Sequence, residues 1–290
     1  MALHAFIQSP FHNLKSNIEI TMTIPTIYNF FSLLLLMLIL SSSLTNSSPD
    51  EEFSYIKGSA KGPENWGNIN PKWRVCGNGK LQSPIDLVDK GVQVSPKLDK
   101  LKRYYKPVPA VLKNMGHAIM VQWKGDAGQF IIDGIRYNLL QYHWHTPSEH
   151  TFNGSIYDLE LHAFHQSSKG EMAVIGVWYK IGRPDPLLSK LLTHIKSLKE
   201  QDINLGVINP KDIMFEGTSY YRYVGSLTTP PCTEGVSWTM VKKVRTVSVE
   251  QLNALKAAVH RGFEQNARPT HVLNGRQVYL YSPQDEKEFK

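Results

Sequence analysis

The sequence predicts an α+β protein built around a β-sheet. Runs of β-branched and aromatic residues dominate it, whereas apolar residues recur at helical spacing in few places. Its 290 residues, 41% of them hydrophobic and 20% charged, have the composition of a globular protein with a sizeable core rather than of a disordered or fibrous one. Neither an internal repeat nor a linker or charge block divides the chain after residue 48, so we expect a single domain.

Six segments have the pattern of strands, broken by glycine, Asp-Gly or Asn-Gly turns. They are residues 118–123, 130–132, 137–145, 159–164, 172–179 and 236–247. Two segments have the pattern of helices. In residues 185–198, leucine and isoleucine recur at helical spacing, and further on Ser248 and Gln251 form a capping box ahead of Leu252 and Leu255.

The first 48 residues are expected to form a leader outside the folded domain. The segment from Phe30 to Leu40 carries no charge and is followed by small polar residues. This is the profile of a secretory signal peptide, for which Met22 is an alternative start. At about 1.5 Å per residue, a helix of that length is too short for a hydrocarbon core of roughly 30 Å, so a membrane anchor is the weaker alternative. The domain is therefore assigned to residues 49–290.

The secretory leader implies an oxidising compartment. The two cysteines, Cys76 and Cys232, are therefore expected to pair, with two free buried thiols as the alternative. Two Asn-x-Ser/Thr sequons, at Asn46 and Asn153, fit glycosylation in the same compartment. The formal net charge of +7 comes from scattered basic residues without a nucleic-acid-binding motif, so we expect a solvated basic surface and no nucleic-acid partner.

Three histidines in the middle of the chain form a candidate metal site. Residues two apart on a strand share a face, so His143 and His145 point the same way. Pairing of this strand with the next one would bring His162 to the same point. Three histidine nitrogens that leave a fourth position open are typical of catalytic zinc. An H-x-H motif also occurs by chance, and a lone histidine in a strand is more often a hydrogen-bonded core or surface residue.

Polar residues next to these histidines allow two interpretations. Gln141 and Glu160 each lie two positions before a candidate ligand and can accept the other ring N–H, which fixes the tautomer. The segment HWHTPSE also fits the first half of a cupin motif, in which Glu149 would join His143 and His145 as a ligand to iron or manganese. The glycines and the second half of that motif are missing from the sequence.

Seven motifs occur in order along the chain, namely GPENWG, LQSPID, NMGHA, QYHWH, PSEHT, ELHAFH and GSLTTPP. Together they resemble the plant type of α-class carbonic anhydrase, and the resemblance extends from about Phe53 to Tyr281. It implies a large twisted, mostly antiparallel β-sheet with a few short peripheral helices and a conical cleft with Zn²⁺ at its base. The implied reaction is the reversible hydration of carbon dioxide to bicarbonate and a proton, with a buffer as proton acceptor.

The resemblance implies a role for each matching polar residue. The three histidines bind zinc, and Gln141 and Glu160 orient two of them. Thr228 accepts a hydrogen bond from zinc-bound hydroxide and donates one to Glu149, and this pair directs the nucleophile towards carbon dioxide. His117 matches the proton shuttle, a histidine whose pKa lies near neutrality.

The substrate is small and uncharged, so an apolar wall is expected beside the nucleophile. The residues that match the substrate site are Val174, Leu227, Val236, Trp238, Thr228 and Thr229. Tyr55 matches the tyrosine that helps to order the relay waters. Met115 and Met120 replace asparagines that line the water chain in animal members, and Phe164 replaces a smaller valine at the pocket. We therefore expect an active enzyme without assuming a fast one.

Two other functions stay open from the sequence. One is a non-catalytic carbonic-anhydrase-like storage or binding protein, which would be expected to lose a zinc histidine, Glu149 or Thr228, although all of these are present. The other is a cupin-type metal oxidoreductase. The expected location is the secretory pathway, secreted or extracytoplasmic, with a plastid stroma reached through the secretory route as the alternative. The oligomeric state is not predicted.

Overall fold

A mixed sheet of 12 strands forms the body of the protein. The computed structural model describes residues 52–90, 92–213 and 219–283. In chain order the strands are β1 (Asp86–Leu87), β2 (Gln93–Val94), β3 (Lys102–Tyr105), β4 (Val108–Asn114), β5 (Ile119–Trp123), β6 (Gly128–Ile132), β7 (Ile135–His145), β8 (Thr151–Phe152), β9 (Leu159–Ser167), β10 (Met172–Ile181), β11 (Ile203–Ile208), β12 (Tyr220–Ser226), β13 (Glu234–Val247) and β14 (Tyr279–Tyr281). Strands β1 and β8 form a separate parallel pair.

Short helices lie around the sheet. The α-helices are α1 (Trp66–Ile69), α2 (Val75–Asn78), α3 (Pro186–Ser197) and α4 (Val249–Ala258), and single 3₁₀ turns occur at Pro63–Asn65, Pro71–Trp73 and Pro210–Ile213. The sheet order is β11-β4-β5-β7-β9-β10-β13-β12-β14-β2, and β6 pairs with both β3 and β7. Only the β10–β13 and β14–β2 pairs of this sheet are parallel within the described residues. The expectation of one mainly β domain on a mostly antiparallel sheet is confirmed.

The segments predicted from periodicity are all present. The two predicted helices correspond to α3 and α4, and their caps explain where they begin. Asp185 accepts a hydrogen bond from the Leu188 N–H at 3.0 Å, and Ser248 forms the full capping box with Gln251. The Asp-Gly turn between β6 and β7 has positive φ values at both Asp133 and its glycine, as a two-residue hairpin requires.

Several strands were missed by the periodicity. Strand β4 contains Pro109, which lacks an N–H and argues against a central strand. Its carbonyl nevertheless accepts from the Lys124 N–H at 2.8 Å. Strand β11 is interrupted at Gly206, where φ is 64° and the register with β4 shifts. Because of these irregularities, the periodicity does not indicate β4 and β11, whose pairing with each other depends on residues far apart in sequence.

Two apolar cores on opposite sides of the sheet fix its register. Helices α3 and α4 cover one core, to which β7 contributes Tyr142 and Trp144 and β9 contributes Leu161 and Ala163. Because side chains alternate along a strand, the residues between these apolar positions face away from the helices. The second core, around Trp238, lies on that other side.

A disulfide joins Cys76 to Cys232, as expected from the oxidising compartment. The bonded cysteines lie in a third apolar cluster with Trp66, Trp73 and Phe263. The predicted leader and the sequon at residue 46 lie outside the described residues. The other sequon, at residue 153, lies in an exposed turn after β8. Among the described residues, no helix has the length and apolar character needed to cross a membrane.

Candidate active site

Three histidine rings converge on the side of the sheet away from α3 and α4. His143 and His145 lie on β7, and His162 lies on β9, where it pairs directly with His143. The ring centroids are 4.6 to 5.0 Å apart. One nitrogen of each ring lies within 4.8 Å of the other two. His145 and His162 are buried, whereas His143 is half-buried.

Side-chain acceptors hold the outer nitrogens of two rings. Gln141 Oε1 lies 2.9 Å from His143 Nδ1, and Glu160 Oε1 lies 2.6 Å from His162 Nε2. An acceptor at one ring nitrogen keeps the proton there and leaves a lone pair on the other. The inward nitrogens are therefore His143 Nε2 and His162 Nδ1, which are 3.3 Å apart.

The third ring is held by the backbone. His145 Nδ1 donates to the carbonyl of Asn266 at 2.8 Å, and no residue near His145 in sequence signals this acceptor. Its other nitrogen, Nε2, is buried and has no hydrogen-bond partner among the described residues. A buried acceptor without a donor is costly, and a neutral imidazole lone pair is a zinc ligand. The three inward nitrogens thus fit a zinc ion.

Burial keeps all three rings in the neutral form that binds metal. It lowers the pKa of His145 to about 4 and also lowers the pKa of His162. Burial, followed by the nearby His145 and His162 rings, lowers the pKa of His143 well below its usual value.

Glu160 connects the candidate ligands to a buried hydrogen-bond chain. Its Oε1 atom also lies 2.7 Å from His150 Nδ1, and its Oε2 atom accepts the backbone N–H groups of Glu149 and His150. Burial opposes ionisation, but His150 and His162 hold the pKa of Glu160 well below its usual range. His150 Nε2 lies 2.6 Å from the Tyr223 hydroxyl. His150, Glu160 and His162 also cluster closely, but hydrogen bonds between them already occupy the facing nitrogens. Sequence analysis assigned no role to His150.

Glu149 and Thr228 are both buried beside the histidines. Glu149 Oε1 accepts the backbone N–H of Arg268 at 3.0 Å. Burial raises the pKa of Glu149 to about 7, against the lowering effect of His162. The Glu160 carboxylate adds to the rise, whereas hydrogen bonds from Arg268 and Thr228 lower the pKa. Its Oε2 atom makes no close hydrogen bond with the described residues, so the contact with Thr228 is a weak one. Glu149 Oε1 lies 3.5 Å from His145 Nδ1. The carboxylate is therefore on the outer side of this ring and not beside its inward nitrogen, Nε2.

An apolar surface adjoins the three rings. Val174 and Val236 are buried with Trp238 in the second core, and Leu227 and Phe164 pack against them. Val174 pairs with Phe164 on one side and with Trp238 on the other. The Trp238 ring centroid is 4.8 Å from that of His162. Thr229 follows Thr228 and is half-buried. The predicted wall is therefore assembled next to the candidate metal ligands.

The residues expected to relay protons lie at one side of the site. His117 is half-buried, and its ring centroid is 5.3 Å from that of Phe53. The Tyr55 hydroxyl is buried without a hydrogen-bond partner among the described residues, and burial raises its pKa well above the usual value. Met120 is half-buried and pairs with His143 across β5 and β7, whereas Met115 is exposed.

Comparison with known proteins shows which family has this fold and this site. The family model of eukaryotic-type carbonic anhydrase matches residues 61–282. The chain belongs to the α-class carbonic anhydrase family. Alpha carbonic anhydrase 4 of Arabidopsis thaliana is 53% identical over 243 residues, which are 83% of this chain and 91% of that protein. The resemblance seen in the seven motifs is confirmed, and the cupin interpretation is replaced.

Solved structures of carbonic anhydrase relatives share the fold. A crystal structure of dioscorin complexed with ascorbate has a TM-score of 0.78 at 45% identity, covering 80% of this chain and 98% of that one. The α-carbonic anhydrase of Thermovibrio ammonificans, in complex with the inhibitor sulfanilamide, has a TM-score of 0.72 at 37% identity, covering 78% of this chain and 98% of that one.

Proposed function

We propose that this carbonic anhydrase relative catalyses the zinc-dependent, reversible hydration of carbon dioxide to bicarbonate and a proton. The observation that carries the proposal is the convergence of three inward histidine nitrogens whose outer nitrogens are all held by acceptors. Family membership supports the same substrates.

Zinc would be held by His143 Nε2, His145 Nε2 and His162 Nδ1, with a fourth position left for the nucleophile. When bound, zinc acts as a Lewis acid that lowers the pKa of a coordinated water to about 7, a value established for carbonic anhydrases rather than deduced from this structure. Gln141, Glu160 and the Asn266 carbonyl keep the rings in the tautomers that donate these lone pairs.

Thr228 and Glu149 orient the nucleophile. A bound zinc cation would favour the ionised form of Glu149 over the neutral form that burial favours. An ionised carboxylate only accepts hydrogen bonds, so Glu149 directs the Thr228 proton towards itself. The Thr228 oxygen then faces the metal centre as an acceptor and selects a proton-bearing nucleophile, whose lone pair is left to attack the substrate. The wall around Val174 and Trp238 holds carbon dioxide without competing hydrogen bonds, and it excludes water from the reacting face.

His117 moves the product proton from the site to buffer. Its half-buried position lets it exchange protons with solvent, and histidine is the residue type most often used for proton transfer at neutral pH. The Tyr55 hydroxyl, which has no protein partner among the described residues, fits a role in ordering the waters between His117 and the metal centre. Met120 makes that route less favourable for water, because its side chain offers water no strong hydrogen-bonding group.

Metal analysis combined with a stopped-flow hydration assay tests the proposal. Purified protein should contain one zinc per chain and accelerate carbon dioxide hydration, and both properties should be lost on chelation and restored by zinc. Stoichiometric zinc without activity would instead favour the second candidate, a storage or binding protein. That candidate draws support from Met120, which offers relay waters no strong hydrogen-bonding group, from the large Phe164 ring at the apolar wall, and from the ascorbate complex of dioscorin.

We also propose an extracytoplasmic location on the secretory pathway. The Cys76–Cys232 disulfide supports it, since such bonds persist in oxidising compartments. Asn153 is proposed as a glycan site because it lies in an exposed turn. Endoglycosidase treatment should lower the mass of protein from a plant host, and Asn153→Gln should abolish that shift. Localisation of a tagged full chain separates secretion from delivery to a plastid stroma.

A further inference from the structure

A second cavity lies on the face of the sheet opposite to the histidines. On β12, the Tyr223 side chain points to His150, so its neighbours Arg222 and Val224 point the other way. Both line a cavity of about 530 Å³ between β12, the segment after β2 and the β6–β7 turn. Its volume is in the range of sites that bind small organic molecules. None of its lining residues belongs to the candidate active site.

Arg222 is one of three charged residues that line this cavity. Its Nε atom donates to Thr239 Oγ1 at 3.0 Å. Its guanidinium carbon lies 5.3 Å from the ring centroid of Tyr220 and 5.9 Å from that of Phe130. These contacts hold the guanidinium by its Nε edge and beside two aromatic rings. The opposite edge, with the two Nη groups, remains available as a fork of donors.

The two Nη groups of this half-buried cation have no hydrogen-bond acceptor among the residues that the structure describes. Among the same residues, no carboxylate lies within ion-pair distance of Arg222. Asp133 also lines the cavity and acts on Arg222 only at longer range. A partly desolvated charge without a partner is unfavourable, and a planar, bidentate anion is the group that fits an arginine fork.

The rest of the cavity defines the kind of anion. Lys97 adds a second positive charge and Asp133 a negative one, so the lining has a net charge of about +1, which favours a monoanion over a dianion. The remaining wall is largely apolar, and its partly exposed members are Val94, Val224 and Tyr279. We propose that this cavity binds a small organic carboxylate with an apolar body, whose carboxylate is clamped by the two Nη groups of Arg222.

Calorimetric titration with benzoate tests the proposal. The titration is done with the zinc-loaded protein in saturating sulfanilamide, because a carboxylate could also bind at the metal centre. Benzoate should bind at one site per chain. Its neutral isostere benzamide should bind at least about 10-fold more weakly, because the charge-assisted hydrogen bonds are lost.

Two sets of variants locate the site. Arg222→Gln should weaken benzoate binding roughly 10 to 100-fold, whereas Arg183→Gln, an exposed arginine outside this cavity, should leave it unchanged. Val224 is 47% exposed, so substitution there should not disturb folding. Val224→Glu places a negative charge in the cavity and should abolish binding, whereas the uncharged match Val224→Gln should retain it. Hydration activity should be the same in all four variants.

Several outcomes would overturn the assignment. These are the absence of saturable benzoate binding with the metal centre blocked, equal binding of benzamide, and equal binding by Val224→Glu and Val224→Gln. Tighter binding of inorganic phosphate than of benzoate would show that the site takes a different class of anion. Because this cavity and the candidate metal centre lie on opposite faces of the sheet, these results do not depend on whether the protein hydrates carbon dioxide.

Discussion

Replacing both cysteines by serine tests how the disulfide supports the loop of residues 228–232, which begins at Thr228 beside the candidate metal site. The bridge joins residues 156 apart, which in the chain-entropy description removes about 5 kcal/mol of unfolded-state freedom. For a domain of this size, roughly 2–4 °C of melting temperature correspond to each kcal/mol, so a Cys76→Ser, Cys232→Ser variant should melt lower by up to about 10–20 °C. This is an upper figure, since engineered disulfide changes often deliver less.

The same variant should also lose catalytic efficiency while it is still folded. Cys232 lies four residues after Thr228, and its carbonyl accepts from Gln82 Nε2 at 3.2 Å. Without the bridge, the end of this loop is anchored only by such hydrogen bonds. A displacement of Thr228 by about 1 Å can cost up to roughly 100-fold in rate. We therefore expect lower kcat/KM at temperatures well below the transition, with zinc content unchanged.

Calorimetry and stopped-flow hydration measure the two effects separately. Reduction of the native protein with a phosphine should reproduce both of them and should do nothing to the double variant, which serves as the control for damage by the reductant. Full activity in the double variant, or two free thiols by peptide mapping of protein from the secretory pathway, would refute the coupling.

Three further substitutions test the metal centre and the proton route. His162→Ala should remove most zinc and nearly all activity, since three ligands hold the ion in an open tetrahedral site, and stoichiometric zinc in this variant would contradict the assignment. Gln141→Ala should bind zinc roughly 10 to 100-fold more weakly, measured as release to a chelator, whereas its cross-strand neighbour Gln122→Ala should not. His117→Ala should lower kcat in dilute buffer with kcat/KM nearly unchanged, and added imidazole should restore it. If His117→Ala has no effect, the shuttle role does not apply to this chain.

The fold and part of the site could be predicted because they depend on local periodicity. The two-residue spacing of His143 and His145, and of Glu160 and His162, follows from one face of a strand. The same spacing explains why Gln141 and Glu160 orient rings that lie two residues further on. The capped helices α3 and α4 were predictable for a similar reason, since their apolar residues recur at helical spacing and each cap lies three residues before the N–H that it accepts.

The remaining contacts of the site join positions far apart in the chain and carry no local pattern. The Asn266 carbonyl that holds His145 is 121 residues away in sequence. Every residue has a backbone carbonyl, so the residue type at this position does not indicate the contact. His150 was visible in sequence, but its two partners, Glu160 and Tyr223, come from separate strands. Strand β12, which supplies Tyr223, was itself missed. Only tertiary structure brings these groups together.

Arg268 explains why stability and catalysis should be coupled through the disulfide. Its buried side chain donates from Nη2 to the Cys76 carbonyl at 2.9 Å and from Nη1 to the Ser83 carbonyl at 2.8 Å. Its backbone N–H donates to Glu149 Oε1 at 3.0 Å. One residue therefore connects the bonded cysteine to Glu149, the carboxylate proposed to orient Thr228. Loosening of the segment around Cys76 would be transmitted to Glu149 as well as to the loop after Thr228, so the two sides of the orienting pair would lose their positions together.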